Sequence, residues 1–110
     1  MIPLEPNPTF TIPVGLSVPG RSEQIEIPIT FRYLDDSQYR AWAKTAATRP
    51  DPDTLHDVIV GWNDAVRDPD GKPVPYSFTA LVTLLERYRP AAGEIYEGFQ
   101  RELRESKKKT

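Results

Sequence analysis

Cysteine is absent from the 110 residues, and histidine occurs once. The chain therefore has no disulfide, no thiolate metal ligand and no cysteine nucleophile. A single histidine also leaves a zinc-type site without enough strong ligands. We expect neither a metal site nor metal-assisted chemistry.

Long apolar runs and a strong excess of one charge are missing too. No stretch approaches the roughly 20 apolar residues that span a bilayer, and the N-terminus lacks the basic and apolar regions of a signal peptide. The formal net charge is −2 and the isoelectric point is about 5.4, which gives no global field to attract nucleic acid or anionic lipid. These features predict a soluble, cytosolic protein with no affinity for membranes or nucleic acid.

Proline, in contrast, is abundant. The chain has 12 prolines, about twice the average usage of roughly 5%. Because proline fits poorly inside helices and central strands, these residues mark element boundaries, strand edges and loops. At this length we expect a single domain over residues 1–110, with roughly 65% of its extended-chain surface buried and with residues 1–8 as an extended N-terminal segment.

Residues 9–33 alternate between apolar and other side chains on both sides of a Pro19-Gly20 turn signal. This period of two predicts a β-hairpin with one buried face. The apolar positions are Phe10, Ile12, Val14, Leu16 and Val18, then Ile25, Ile27, Ile29, Phe31 and Tyr33.

Two prolines refine the hairpin. Pro13 and Pro28 lack an N–H group, so each must face away from its ladder partner. Residues on one face of an antiparallel pair direct their backbone groups the same way. The apolar residues are therefore predicted to be hydrogen-bonded across the hairpin, and the prolines to hinder additional strands at both outer edges.

Helical patterns dominate residues 35–106. The first helix is predicted to begin with a capping box of Asp35 and Gln38 and to stop before Arg49. A second helix is predicted with Asp51 as its N-cap and Pro52 at its first position. Its apolar stripe would be Leu55, Val58, Ile59, Trp62 and Val66.

Residues 68–76 are predicted to form a loop, after which Ser77 caps a third helix. Pro90 ends that helix and begins a fourth, and residues 107–110 form a basic tail. The inward residues are predicted to be Phe78, Leu81, Val82, Leu85 and Tyr88, then Ala92, Ile95, Tyr96, Phe99 and Leu103. A hairpin followed by about four short amphipathic helices is an α+β fold.

Catalytic motifs are not found. His56 could act as a base with Asp53 and Asp57 nearby, but an exposed side chain beside the apolar stripe is the favoured interpretation. The run around Asp68 and Gly71 resembles a calcium loop only faintly, since Val66 and Ser77 would occupy positions that need carboxylates. We expect no enzyme activity and no cofactor.

Lys107, Lys108 and Lys109 form the one basic run. They could contact phosphate, which would suit a small, dimeric, prophage-encoded regulatory module that binds nucleic acid. They could equally be a solvated helix end that complements the helix dipole. The acidic balance of the chain favours the second interpretation.

Over most of its length the chain resembles the tail assembly chaperones of long-tailed phages and prophages. Residues 4–14 (LEPNPTFTIPV) and 29–33 (ITFRY) resemble the two strands of that family. Residues 59–62 (IVGW), 76–78 (YSF), 84–90 (LLERYRP) and 95–99 (IYEGF) follow its central and C-terminal pattern. The loop after Trp62 is longer and richer in proline than the family pattern.

The resemblance implies a role in virion assembly. Such chaperones bind the long helical tape-measure protein and keep it soluble until the tail tube protein polymerises around it. It implies a location in the cytoplasm of the bacterial host, absence from the mature virion, and the tape-measure protein as partner, with the tail tube protein as a second candidate. A homo-oligomer is compatible with this reading.

Aromatic residues are the candidates for partner binding. Trp42 and Trp62 lie on predicted inward stripes and are interpreted as core residues. On the last two helices, the residues chosen as candidate partner contacts are Tyr88, Tyr96, Phe99 and Leu103.

Overall fold

The computed structural model describes residues 1–105, with the side chain of Glu105 excepted. The basic tail predicted for residues 107–110 lies outside the described residues. The elements are β1 (Thr9–Leu16), β2 (Ile25–Arg32), α1 (Asp36–Ala46), α2 (Asp51–His56), β3 (Ile59–Gly61), α3 (Phe78–Arg87) and α4 (Ala91–Glu105). The predicted α+β class is confirmed, with a third strand in addition. None of the helices within residues 1–105 has the length and apolar character needed to cross a membrane.

The predicted hairpin is present. β1 and β2 pair antiparallel, with Ile12 opposite Ile29 and Val14 opposite Ile27. Three of these side chains are buried and Ile12 is half-buried. On the opposite face Thr11 Oγ1 and Thr30 Oγ1 share a hydrogen bond of 2.7 Å. The alternation in the sequence therefore separates a covered apolar face from an open one.

Pro13 and Pro28 lie directly opposite each other in the hairpin. The prediction that they hinder further strands is wrong for β2, because β3 pairs with it at Thr30 and Phe31 across a bulge. The Arg32 N–H donates to the Val58 carbonyl at 2.8 Å, so alternate backbone groups of β2 face β3. Pro28 faces the same way but has no backbone N–H group to donate, so pairing with β3 cannot continue past it. This is consistent with the three-residue length of β3.

The second helix is the main correction. It ends at His56, and its first residue is Asp51 rather than Pro52, with Pro50 at the N-cap. Ile59 then enters β3, and Trp62 is buried after that strand rather than on a helix. An apolar spacing typical of a helix also fits a short buried strand, and pairing with β2 decides between the two.

The other helix termini follow the sequence closely. The Gln38 N–H donates to Asp35 Oδ1 at 2.8 Å, and the Asp35 N–H donates to Gln38 Oε1 at 2.9 Å. The capping box is therefore confirmed, although α1 ends at Ala46. Ser77 Oγ accepts from the Ala80 N–H at 3.0 Å, which confirms the predicted cap of α3.

The inward stripes of α3 and α4 need a partial correction. Leu81 and Leu84 are the buried residues of α3, while Phe78, predicted to be inward, is 39% exposed. On α4 the fully buried residues are Ala91, Ile95 and Phe99. Leu84 and Ala91 each precede by one position a residue that was predicted to be inward, Leu85 and Ala92 respectively.

Aromatic rings fill the centre of the core. Phe99 on α4 lies 4.8 Å from Phe31 and 5.1 Å from Trp42 between ring centroids, and Phe10 stacks on it at 6.0 Å. The Trp42 indole N–H donates to the Thr54 carbonyl at 2.9 Å. The four rings belong to β1, β2, α1 and α4, and Trp42 is also hydrogen-bonded to α2. The cluster therefore holds α1, α2 and α4 against the hairpin.

Candidate protein-binding surfaces

The only histidine takes part in an aromatic cluster at the surface. His56 Nδ1 lies 2.7 Å from the Tyr76 hydroxyl, and the His56 ring meets the Phe78 ring edge-on at 5.2 Å. Asp57 pairs instead with Arg49 at 2.7 Å. Burial raises the pKa of Tyr76 to about 12, so this hydroxyl keeps its proton at neutral pH. These contacts fix the entry to α3.

The predicted turn around Asp68 is stabilised by hydrogen bonds within the turn. Asp68 Oδ1 accepts from the backbone N–H groups of Asp70 and Lys72, both at 2.9 Å. Gly71 has a φ of 82°, which glycine adopts at little cost. No group of three or more potential metal ligands occurs within residues 1–105. The carboxylate of Asp68 thus serves as a turn acceptor.

An apolar groove opens at one end of the hairpin. Its walls are the end of β1 and the start of β2, the segment 65–74, and one face of α3 with Tyr88. Its volume is about 380 Å³, within the roughly 300–1,000 Å³ of typical ligand pockets. The apolar residues that line it include Leu16, Val18, Ile25, Ile27, Val66 and Leu84. We call this surface the groove.

Hydrogen bonds stabilise the segment 65–74, which forms one wall of the groove. The Val74 N–H donates to the Val66 carbonyl at 2.8 Å, and the Val74 carbonyl accepts from the Trp62 indole at 2.8 Å. Arg67 donates to the carbonyls of Asp64 and Gly71 at 2.8 and 3.0 Å. The groove is therefore already formed, which lowers the entropic cost of filling it.

The charged residues around the groove are Arg67, Asp68 and Arg87. The Asp68 carboxylate is occupied by backbone N–H groups, and Arg87 has no ion-pair partner within residues 1–105. Two positive charges against one negative charge make the rim attractive to an acidic group.

A second surface lies between α1 and α4. The rings of Tyr39 and Tyr96 flank Trp42, each 5.8 Å from it between centroids. Both tyrosines are half-buried, as is Leu103 further along α4. We call Tyr39, Tyr96 and Leu103 the seam. Aromatic residues that are half-covered within one molecule are typical anchors for another protein.

The Tyr96 hydroxyl is unusual within the seam. It is buried and has no partner at ordinary hydrogen-bond geometry, although the side chains of Thr54 and Asp51 lie close enough to interact with it. Burial raises the pKa of Tyr96 above its ordinary value of 10.0. The hydroxyl is thus covered by the protein without a well-formed hydrogen bond.

The structure separates the four candidate contacts chosen from the sequence. Tyr88 lines the groove, whereas Tyr96 and Leu103 lie on the seam. Phe99 is fully buried in the aromatic core, so its side chain is not accessible to a partner in this conformation. The part that the other three residues play in binding stays a prediction. Sequence reasoning missed the groove, although Val18 and Ile25 continue the alternation close to the hairpin turn.

Comparison with known proteins identifies a family. A family model described as phage tail assembly chaperone matches residues 1–110, the whole chain. Neither the curated proteins nor the solved structures gave a match.

Proposed function

Because this chain belongs to the phage tail assembly chaperone family, we propose that it binds the tape-measure protein during tail assembly and keeps that protein soluble until the tail tube forms. The family match over residues 1–110 is the observation that carries this proposal. The tail tube protein would then displace the chaperone. The proposal places the protein in the cytoplasm of the bacterial host and outside the mature virion.

The physical task is to cover an apolar stripe. A long amphipathic helix exposes a continuous apolar face to water, and such a face aggregates. A small protein that offers half-covered aromatic rings can bury short sections of this stripe. Many weak contacts along one long partner add up to firm binding, yet each contact can be displaced separately.

We assign the tape-measure contact to the seam. Tyr39 and Tyr96 present rings on either side of the buried Trp42, and Leu103 adds an aliphatic side chain on the same helix as Tyr96. These side chains are held by the core and still partly accessible, so little conformational entropy is lost when a partner helix covers them.

Co-expression tests the function. The tape-measure protein is produced alone or together with this chain, and its soluble fraction is measured. We expect the soluble fraction to rise on co-expression and the two proteins to co-purify. An unchanged soluble fraction together with salt-sensitive DNA binding by the purified chain would refute the proposal and favour a regulatory module.

A pair of variants tests the surface. Leu103→Arg places a charge on the seam near the C-terminal end of α4, where a cation suits the helix, and we expect it to abolish the solubilising effect. Ala41→Arg adds the same charge on the exposed side of α1 and should behave as the unmodified protein. If both variants raise the soluble fraction of the tape-measure protein equally, and each keeps an unchanged melting temperature, the seam is not the contact site.

A further inference from the structure

The groove leaves aliphatic surface uncovered beside positive charge. Ile25, which lines it, is 38% exposed, and Val18 and Val66 in its walls are half-buried. Burial of such a surface against a partner is favourable, because apolar area is removed from water. No residue of the seam lines the groove, so the two surfaces can be altered separately.

The polar groups near the groove favour a helix over an extended segment as its occupant. An extended segment binds through backbone hydrogen bonds to an open strand edge, and on β2, whose first residues line the groove, Pro28 has no N–H group to donate. The Thr83 hydroxyl already donates to the Thr79 carbonyl at 3.0 Å, and Asp68 accepts from two backbone N–H groups. A helix satisfies its own backbone groups, so an aliphatic lining is enough to bind its apolar face.

The rim of the groove adds a preference for negative charge. Arg87 lies in the last turn of α3, is exposed, and has no ion-pair partner within residues 1–105. Arg67 is held at the rim by its bonds to the carbonyls of Asp64 and Gly71, and in the described part of the chain it has no ion-pair partner either. A carboxylate placed here would meet two guanidinium groups, which bind carboxylates through strong hydrogen bonds.

We propose that the groove is a second tape-measure contact and that it binds those sections of the partner helix in which an acidic residue flanks the apolar stripe. This second contact rests on the proposed function, because the tape-measure protein is the long amphipathic helix that this chain is proposed to cover. Apolar residues three and four positions apart on that helix would pack against Ile25, Val66 and Leu84. A Glu or Asp one turn further along would pair with Arg87.

Two contacts on one chain would affect both affinity and selectivity. Each contact is weak by itself, but two contacts on one long partner bind much more firmly together. The seam needs only apolar surface, whereas the groove also requires a carboxylate, so the acidic residues of the partner would determine where both contacts form. Because the paired charges are exposed, binding at the groove should weaken as the salt concentration rises.

Overlapping peptides that cover the tape-measure protein test the groove with the purified chain. Peptides of about 25 residues are long enough to form a helix when bound, and fluorescence anisotropy measures their affinity. Thr83→Trp places a large ring in the groove, and Leu103→Arg alters the seam. We expect one set of peptides to lose binding with Thr83→Trp but not with Leu103→Arg, and each of these peptides to carry an acidic residue beside its apolar stripe. Far-ultraviolet circular dichroism should show that they gain helix on binding.

Charge reversal tests the ion pair and does not depend on the bulky Thr83→Trp change. Lysine in place of the acidic residue of the peptide, or Arg87→Glu in the chain, should each weaken binding roughly tenfold, because attraction becomes repulsion. The lysine peptide should bind the Arg87→Glu variant again. Lys44→Glu is the matched control, since it reverses a charge in the last turn of α1, outside the groove, and it should bind the original peptides normally. The melting temperature of each variant shows whether its fold is intact.

Failure of the groove contact and failure of the proposed function give different results. The groove contact is wrong if no peptide distinguishes Thr83→Trp from the unmodified protein, or if the two reversed charges do not restore binding, even when co-expression still raises the soluble fraction of the tape-measure protein. Peptides that bind in the groove without gaining helix would also overturn it, since the occupant would then be an extended segment. If co-expression leaves the soluble fraction unchanged and no peptide binds, the proposed function fails as well.

Discussion

Replacing Trp62 with alanine removes the side chain that joins β3 to the segment beside the groove. The indole is 1% exposed, donates to the Val74 carbonyl at 2.8 Å and meets the Tyr76 ring edge-on at 5.0 Å. Truncation of a buried tryptophan costs about 3–5 kcal/mol. Because domains of this kind are stable by about 5–15 kcal/mol in total, the variant should be severely destabilised or unfolded.

A milder change separates packing from the hydrogen bond. Trp62→Phe keeps an aromatic ring in the site but leaves the Val74 carbonyl without its donor, which should cost about 1–3 kcal/mol for the lost bond, before any loss of packing. Val60→Ala, on the same strand but 45% exposed, should change stability by less than about 0.5 kcal/mol. This ordering of the three variants follows from the burial of each side chain and from the hydrogen bond that Trp62 donates.

Urea denaturation followed by far-ultraviolet circular dichroism gives the free energies of unfolding without relying on tryptophan fluorescence. The expected order of midpoints is Val60→Ala highest, then Trp62→Phe, then Trp62→Ala. A midpoint for Trp62→Ala within error of the unmodified protein would show that Trp62 is not a core residue, and the burial argument would fail.

Two further perturbations have clear signs. Tyr96→Phe removes a buried hydroxyl that has no well-formed hydrogen bond, so it should leave the thermal midpoint unchanged or raise it; a clear decrease would mean that the hydroxyl has a partner after all. Partial burial pushes the pKa of Glu94 up, but hydrogen bonds from Ser17 and Gln24 outweigh this and hold the pKa below its ordinary value of 4.5. The stability from Glu94 is therefore present above about pH 4.5 and lost as the pH falls through its lower folded pKa. Glu94→Gln should lower stability at neutral pH and much less in acid, and an equal loss in urea titrations at both pH values would contradict this.

Local signals in the sequence account for the hairpin and for most helix ends. Asp35 with Gln38, and Ser77, cap helices through contacts within three residues, so neighbouring residues alone determine them. The hairpin is nearly as local, because its alternation and its Pro19-Gly20 turn lie in one continuous segment.

Distant contacts explain what the sequence did not predict. Ile59 follows a helix-like spacing but pairs with Phe31 on β2, and nothing near Ile59 in the sequence specifies that partner. The groove likewise combines residues from the hairpin, the segment 65–74 and α3. Phe78 fits the apolar period of α3 yet lies beside His56 at the surface. Each of these outcomes depends on which elements meet in space.

The facing prolines of the hairpin also have a consequence for hydrogen exchange. Pro13 and Pro28 occupy a pair that makes no hydrogen bond across the hairpin, so the amides of the even-numbered residues of β1 donate to β2 instead. These amides should exchange slowly with solvent deuterium. The amides of Thr9, Thr11 and Gly15 point to the free edge and should exchange quickly, whereas the Ser17 amide is bonded to Glu94 and should be protected again. Along a single strand, the exchange rates would alternate from one residue to the next until the carboxylate of Glu94 ends the alternation.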